Sequence, residues 1–411
     1  MYWNLPGVQG FLSEVVQSLE RQKHVIILCP ETVMRENPAL ALRRRLADEG
    51  LGSIEWLDVS PNVHENPLEA LIKALNLGRM PASFDALLGS DTVPFRFMGL
   101  LGIEKGDMRR QRMFADLLMR AGDHAQSCIH PPYLIIALTS PIFEPPPQNV
   151  RLVCHSWWGV INQLDIDWVT VKTLSAFHQG RTTEYYWAMS LVRGIAPTDP
   201  RLVELLIETL PRTLNALLEQ LKEYARDLPS INCTGLAIGT ATRSISFRKP
   251  LPPSNGKECT LWSQGLLDWC NGKGTMLHAA VLATVGNMIE IEKRVLLGQQ
   301  EVIFPLVERV RQAIVAWFNR EFGNTWIDQV ARNLKDDQQK DSMICEIGPL
   351  CHHIFTPPIF RHAHADILTK LAWRWKEIRN DLAHGKVIDY DTLDWGLSLY
   401  EEFEENTDLS Q

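Results

Sequence analysis

Apolar residues recur every three or four positions near the end of the chain, at Leu368, Leu371, Ala372, Trp375, Ile378 and Leu382. That spacing predicts an amphipathic helix over 363–383 with one buried stripe, and Gly385 supplies its stop. A second stripe, Ile303, Leu306, Val310, Ile314, Trp317 and Phe318, predicts a long helix over 289–320 or a pair kinked at Pro305. A closing helix is predicted over 395–403. Towards the amino terminus the period changes. Short apolar, β-branched runs at 24–29, 53–59, 133–139 and 150–155 alternate with helix-like segments at 10–22, 39–49, 67–75 and 109–121. Such alternation predicts a parallel sheet covered by helices. Between these two regions, 168–176, 183–192 and 202–224 carry apolar stripes broken by Pro197 and Pro200, and 235–247 reads as a hairpin. The expected organisation is an α/β domain over 1–160, a mainly helical region over 161–280 and an all-α bundle over 281–411.

A chain of 411 residues has room for two or three domains, and 45% hydrophobic residues with 13 Trp are ample for real cores. A disordered tail or a fibre is excluded. Met1 to Pro6 lacks a basic start followed by a long apolar run, and no stretch reaches the length of a membrane span, so a cytoplasmic protein without membrane contact is expected. The eight cysteines are scattered without Cys-x-x-Cys spacing, which predicts reduced, mostly buried thiols. Cys345, Cys351, His352, His353, His362 and His364 hold zinc-capable groups, but their spacing fits no standard zinc module. They read as a histidine-rich stretch near the candidate site, and no metal or cofactor is expected.

Net charge is −8, and residues 387–411 account for it with eight acids and no Lys or Arg. From Arg361 to Lys386, six cations face three acids, a local excess of three positive charges suited to a phosphate backbone. The acidic end reads as a solvated helix face; the alternative is a shield that RNA or a partner displaces.

That basic stretch contains Arg379-Asn380-Asp381-Leu382-Ala383-His384. At about 100° per residue Asn380 and His384 share a helix face, whereas Arg379 is rotated about 140° from His384 and must reach round or act across a dimer. A histidine at a helix C-terminus suits proton transfer, and an always-charged guanidinium suits a phosphate and the extra charge of its pentacoordinate transition state. The alternative is a capped helix end with solvated Arg379 and Asp381.

Arg-Asn, three residues, His, then Gly, at the end of a helix ahead of a further helix, resembles the HEPN superfamily, whose signature is Arg, four to six residues, His. The resemblance covers about the last third of the chain. It implies an all-helical, frequently dimeric domain and a metal-independent endoribonuclease of defence or toxin systems, with the RNA 2′-hydroxyl as internal nucleophile. Arg379, Asn380 and His384 match the motif as catalytic residues, and Arg374, Lys376 and Lys386 are candidate substrate contacts. Glu301, Glu308 and Arg309 are candidate supports for the motif or, alternatively, ordinary surface charges.

The strand, loop, helix order of the first part is similar to the nucleotide-binding core of AAA-type and STAND-type P-loop ATPases, which implies a helical lid and a winged-helix element over 161–280. After Cys29, however, come Pro30-Glu31-Thr32-Val33-Met34-Arg35, with neither phosphate-cradling glycines nor Gly-Lys-Ser/Thr. The strand at 133–139 ends without the acid that would organise magnesium. The expectation is a degenerate P-loop-like domain without hydrolysis. Arg43–Arg45 and Arg109, Arg110 and Arg112 read as solvated faces or a partner surface.

Two functions follow. One is an RNA-cleaving effector, homodimeric or complexed with other defence-system proteins. The other is an inactive HEPN/ATPase-like assembly subunit that dimerises and recruits a partner nuclease or ATPase.

Overall fold

The computed structural model describes residues 2–50, 55–62, 65–77, 97–124, 133–139, 151–177, 182–228, 251–253, 256–271, 273–323, 326, 346–354 and 365–407. The chain forms two compact units, one of residues 1–165 with 226–281, the other of 166–225 with 282–411. The stretch from 161 to 280 therefore divides between them.

The first unit is built on a parallel sheet of β1 (His24–Leu28), β2 (Glu55–Asp58), β3 (Phe97–Leu101), β4 (Tyr133–Leu138) and β5 (Leu152–Ser156), in the order β2-β3-β4-β1-β5. Interior strand β1 is buried along its whole length, which is why it reads as an unbroken apolar run rather than an alternating one. The helices are α1 (Pro6–Glu20), α2 (Glu31–Met34), α3 (Pro38–Asp48), α4 (Pro67–Ala74) and α5 (Met108–His124). Prolines at the first turns of α1, α3 and α4 fix their starts, since a first-turn N–H has no intrahelical acceptor to lose. Helix α10 (Gly256–Ser263) leads into an antiparallel ribbon of β6 (Leu267–Cys270) and β7 (Gly274–Leu277). The expected hairpin over 235–247 lies outside the described residues.

Strand β3 has no counterpart in the pattern reading. Its central Gly99 weakens the strand signal, and the structure supplies the reason: the Trp56 ring occupies the place of a side chain there, so a Cβ on Gly99 would overlap the indole. His24 is wholly buried, and the Leu134 N–H donates to its Nδ1 at 3.1 Å. Burial, aided by the charge of Arg151, pushes its pKa down to about 4, so it is neutral at pH 7.

The chain leaves β1 towards one sheet edge and β4 towards the other, which makes the carboxyl end of β1 the switch point where open α/β sheets take ligands. Pro30 and the one-turn helix α2 follow β1 there, and a Cβ at Gly265 would collide with the Thr32 side chain. A cavity of about 370 Å³ opens at these strand ends, lined by Ile27, Met34, Trp56, Asp58, Lys105 and Ala137 among others. Arg43, Arg44, Arg109 and Arg112 are exposed, while Arg45 reaches Ser13 and Glu49, and Arg110 reaches the Glu65 carbonyl.

In the second unit the described elements are helices. After α6 (Gln163–Phe177) come α7 (Thr182–Ile195), α8 (Pro200–Thr209) and α9 (Leu214–Tyr224); after α11 (Ala279–Thr284) come α12 (Met288–Phe322), α13 (Ile347–Ile354), α14 (Ala365–Ala383) and α15 (Tyr390–Thr407). The stripe over 202–224 is two helices. Leu210 adopts φ +40° ahead of Pro211, and Thr213 caps α9 by accepting from the Ala216 N–H. Helix α12 runs through Pro305 for 35 residues, about 50 Å. It crosses α7 backbone to backbone, because a Cβ on Gly298 would lie on the Ser190 carbonyl and one on Gly194 on the Arg294 carbonyl. Helix α14 packs on α12, α13 and α15 with Leu368, Leu371, Ala372, Trp375, Ile378 and Leu382 fully buried, as its spacing predicts.

Candidate functional site

The buried stripe of α14 fixes the rotation of the helix and so decides which motif side chains face outward. Leu382 is buried, Arg379 and Asn380 are half-exposed and His384 is exposed. The His384 N–H bonds the Asn380 carbonyl at 2.9 Å, so the helical ladder continues to the histidine. Gly385 then turns at φ +79°, with Gly385 N–H to the Leu382 carbonyl at 3.2 Å and Lys386 N–H to the Asp381 carbonyl at 2.8 Å. This is a Schellman stop, and only a glycine takes that φ without strain.

Helix α12 pins the stop from beneath. Gln300 Nε2 donates to the Leu382 carbonyl at 2.7 Å. Fully buried Gln299 donates to the Ile388 carbonyl at 2.8 Å and accepts from the Ile388 N–H at 3.0 Å. Asp389 accepts from the Thr392 N–H at 2.7 Å, which starts α15, and the hydrogen bond with the Thr392 side chain holds the carboxyl below its usual range. The loop carrying His384 is thereby tied at both ends.

Arg379 reaches Asn380 directly: Nη1 donates to Asn380 Oδ1 at 3.1 Å. Its other fork atom donates to Glu346 Oε2 at 3.3 Å, in a pair exposed on both sides. Solvent screens such a pair, which contributes about 0.5–1 kcal/mol. The histidine side chain has no hydrogen-bond partner among the described residues. Guanidinium and amide are thus joined, and the imidazole stands open one helical turn beyond the amide.

The candidate substrate contacts differ in availability. Lys386 pairs with Asp381 at 3.0 Å on the surface. Lys376 lies 4.3 Å over the Trp373 ring, and Arg374 lies 4.3 Å over the Trp395 ring while bonding Glu377 at 3.4 Å. Glu301, Glu308 and Arg309 bond Arg193, Arg311 and Tyr186, not the motif. The carboxylate that does meet the motif is Glu346, and the side chains that brace it are Gln299 and Gln300. An adjacent pair of amides inside an apolar helical stripe is a sequence signal for the latter; nothing marks Glu346. Of the acidic end, Glu402 acts on Lys370 near the start of α14, away from His384, whereas Asp389 lies within reach of the charges of Arg374 and Lys386.

Three residues past His384, Val387 and Ile388 line a cavity of about 290 Å³ with Trp187, Leu191, Leu217 and Arg212, whose guanidinium lies 4.4 Å over Tyr390. Of the Cys/His cluster, Cys351 is buried and its thiol pushed up to about 11; the rest lies outside the described residues or their described side chains. No group of three or more His, Cys, Asp or Glu among the described residues is placed to hold a metal ion. Among those residues no helix is long and apolar enough to cross a membrane.

Compared with protein-family models, with curated proteins and with solved structures, the chain shows no match.

Proposed function

We propose that this protein is an endoribonuclease of the HEPN type, acting without a metal and controlled through its degenerate ATPase-like α/β unit as an effector of anti-phage defence or a toxin system. The supporting observation is an open imidazole at a pinned helix end, one turn from an amide held by an arginine fork. In the reaction His384 accepts the 2′-hydroxyl proton while that oxygen attacks phosphorus. The new 2′-O–P bond forms as the P–O5′ bond breaks, leaving a 2′,3′-cyclic phosphate and a 5′-hydroxyl. Arg379 exchanges exposed Glu346 for the phosphate and carries the added charge of the transition state. Protonating the leaving oxygen needs an acid, which His384 of a second copy supplies in a homodimer. The cavity beside Val387 has the apolar walls and the stacked guanidinium that accept a base.

The assembly-subunit reading draws on one observation: Asn380 and Glu346 already satisfy Arg379. Incubation of purified protein with total RNA in EDTA separates the two. The nuclease reading expects fragments from the wild type and none from His384→Ala; intact RNA from the wild type rejects it.

A further inference from the structure

Two tryptophans on the helices that flank the His384 loop are exposed. Trp373 on α14 is 38% exposed and Trp395 on α15 is 53% exposed. Each carries a cation on its ring, Lys376 and Arg374 respectively, both at 4.3 Å. Relative to Trp373, the helical period places Lys376 at about −60°, Asn380 at about −20° and His384 at about +20°. An indole, an ammonium, an amide and an imidazole therefore form one outward stripe along α14, opposite the buried stripe of Trp375, Ile378 and Leu382.

We propose that Trp373 and Trp395, with Lys376 and Arg374, form a stacking platform for single-stranded RNA that leads to the Asn380–His384 end of the helix. An exposed indole offers a face that any base can stack on, and a neighbouring cation supplies the attraction to phosphate. Arg374 shares its charge with Glu377 and Asp389, whereas Lys376 has no carboxylate partner among the described residues, so the attraction to phosphate at this surface rests on Lys376 beside Trp373. Trp373 lies about 16 Å along the helix from His384, the length of about five stacked nucleotides or fewer extended ones. A duplex cannot use such a platform, because its bases are already stacked. The platform rests on the nuclease reading for its purpose but not for its test.

The test measures binding of a labelled, unstructured 12-nucleotide RNA to His384→Ala protein, so that no strand is cut. Trp373→Ala in that background is expected to weaken binding about tenfold, Trp373→Phe to keep most of it, and the matching RNA duplex to bind more weakly than the single strand. Equal binding by Trp373→Ala overturns the platform. So does a variant that turns a dimer into a monomer with RNA affinity unchanged, since the indole would then serve a second copy of the chain. If the wild type leaves RNA intact and the tenfold loss is seen, the nuclease reading falls and the platform stands. If the wild type cuts and Trp373→Ala binds and cuts equally well, the reverse holds.

Discussion

At the scale of single residues, the site is a balance between a guanidinium and the groups that compete for it. Glu346 holds Arg379 at 3.3 Å on the surface, a contact that contributes about 0.5–1 kcal/mol. Glu346→Gln is therefore expected to tighten RNA binding about two- to fivefold, measured by anisotropy, whereas an unchanged or weaker affinity means that Arg379 does not receive the phosphate. A second residue sets a pH dependence. Buried His24 titrates near 4 in the folded protein and near 6.5 unfolded, so folding binds fewer protons. The stability of the neutral form is complete above about pH 6.5 and is lost as pH falls towards 4, by about 3 kcal/mol. Between pH 7 and 4 the wild type should lose that much more in urea unfolding than His24→Gln, whose amide can still accept from Leu134. Arg379, Asn380 and His384 are legible in the chain because helical spacing alone relates neighbours four or five apart. Glu346 is not, because 33 residues separate it from Arg379 and only packing brings them together.

Elements explain why the motif stays where it is. Gln299 gives the Ile388 peptide both of its hydrogen bonds, and Gln299→Ala would leave a buried N–H and C=O unpaired at a cost of about 2–4 kcal/mol. Chemical denaturation should show that loss, together with a loss of RNA cleavage larger than any loss of RNA binding; full cleavage would remove the loop from the account. Where α7 meets α12, Gly298→Val would push a side chain into the Ser190 carbonyl, and thermal unfolding should report a cost of about 3 kcal/mol. The α14 stripe was legible because each of its apolar residues is buried in the structure. The split between α8 and α9 was not, because the apolar spacing continues across Leu210 while the backbone turns left-handed there. Strand β3 escaped the pattern for a related reason: Gly99 trades a strand former for a place where Trp56 can lie.

For the whole molecule, the alternating pattern of the first 160 residues announces a parallel sheet, and the sheet is there. Its order, which places the end of β1 at the switch point, depends on pairings between strands distant in sequence, and the runs themselves carry no trace of it. The same holds for the division into two units, each of which takes part of the middle stretch. The central claim concerns the helical unit, that a guanidinium and an imidazole at the end of α14 direct the RNA 2′-hydroxyl onto its own phosphate. The most direct measurement is the chemistry of the fragment ends after digestion of total RNA in EDTA by wild type and by His384→Ala prepared identically. The account predicts 2′,3′-cyclic phosphate and 5′-hydroxyl ends from the wild type and no such fragments from the variant. Uncut RNA, fragments with 3′-hydroxyl ends, or equal digestion by both proteins would contradict it.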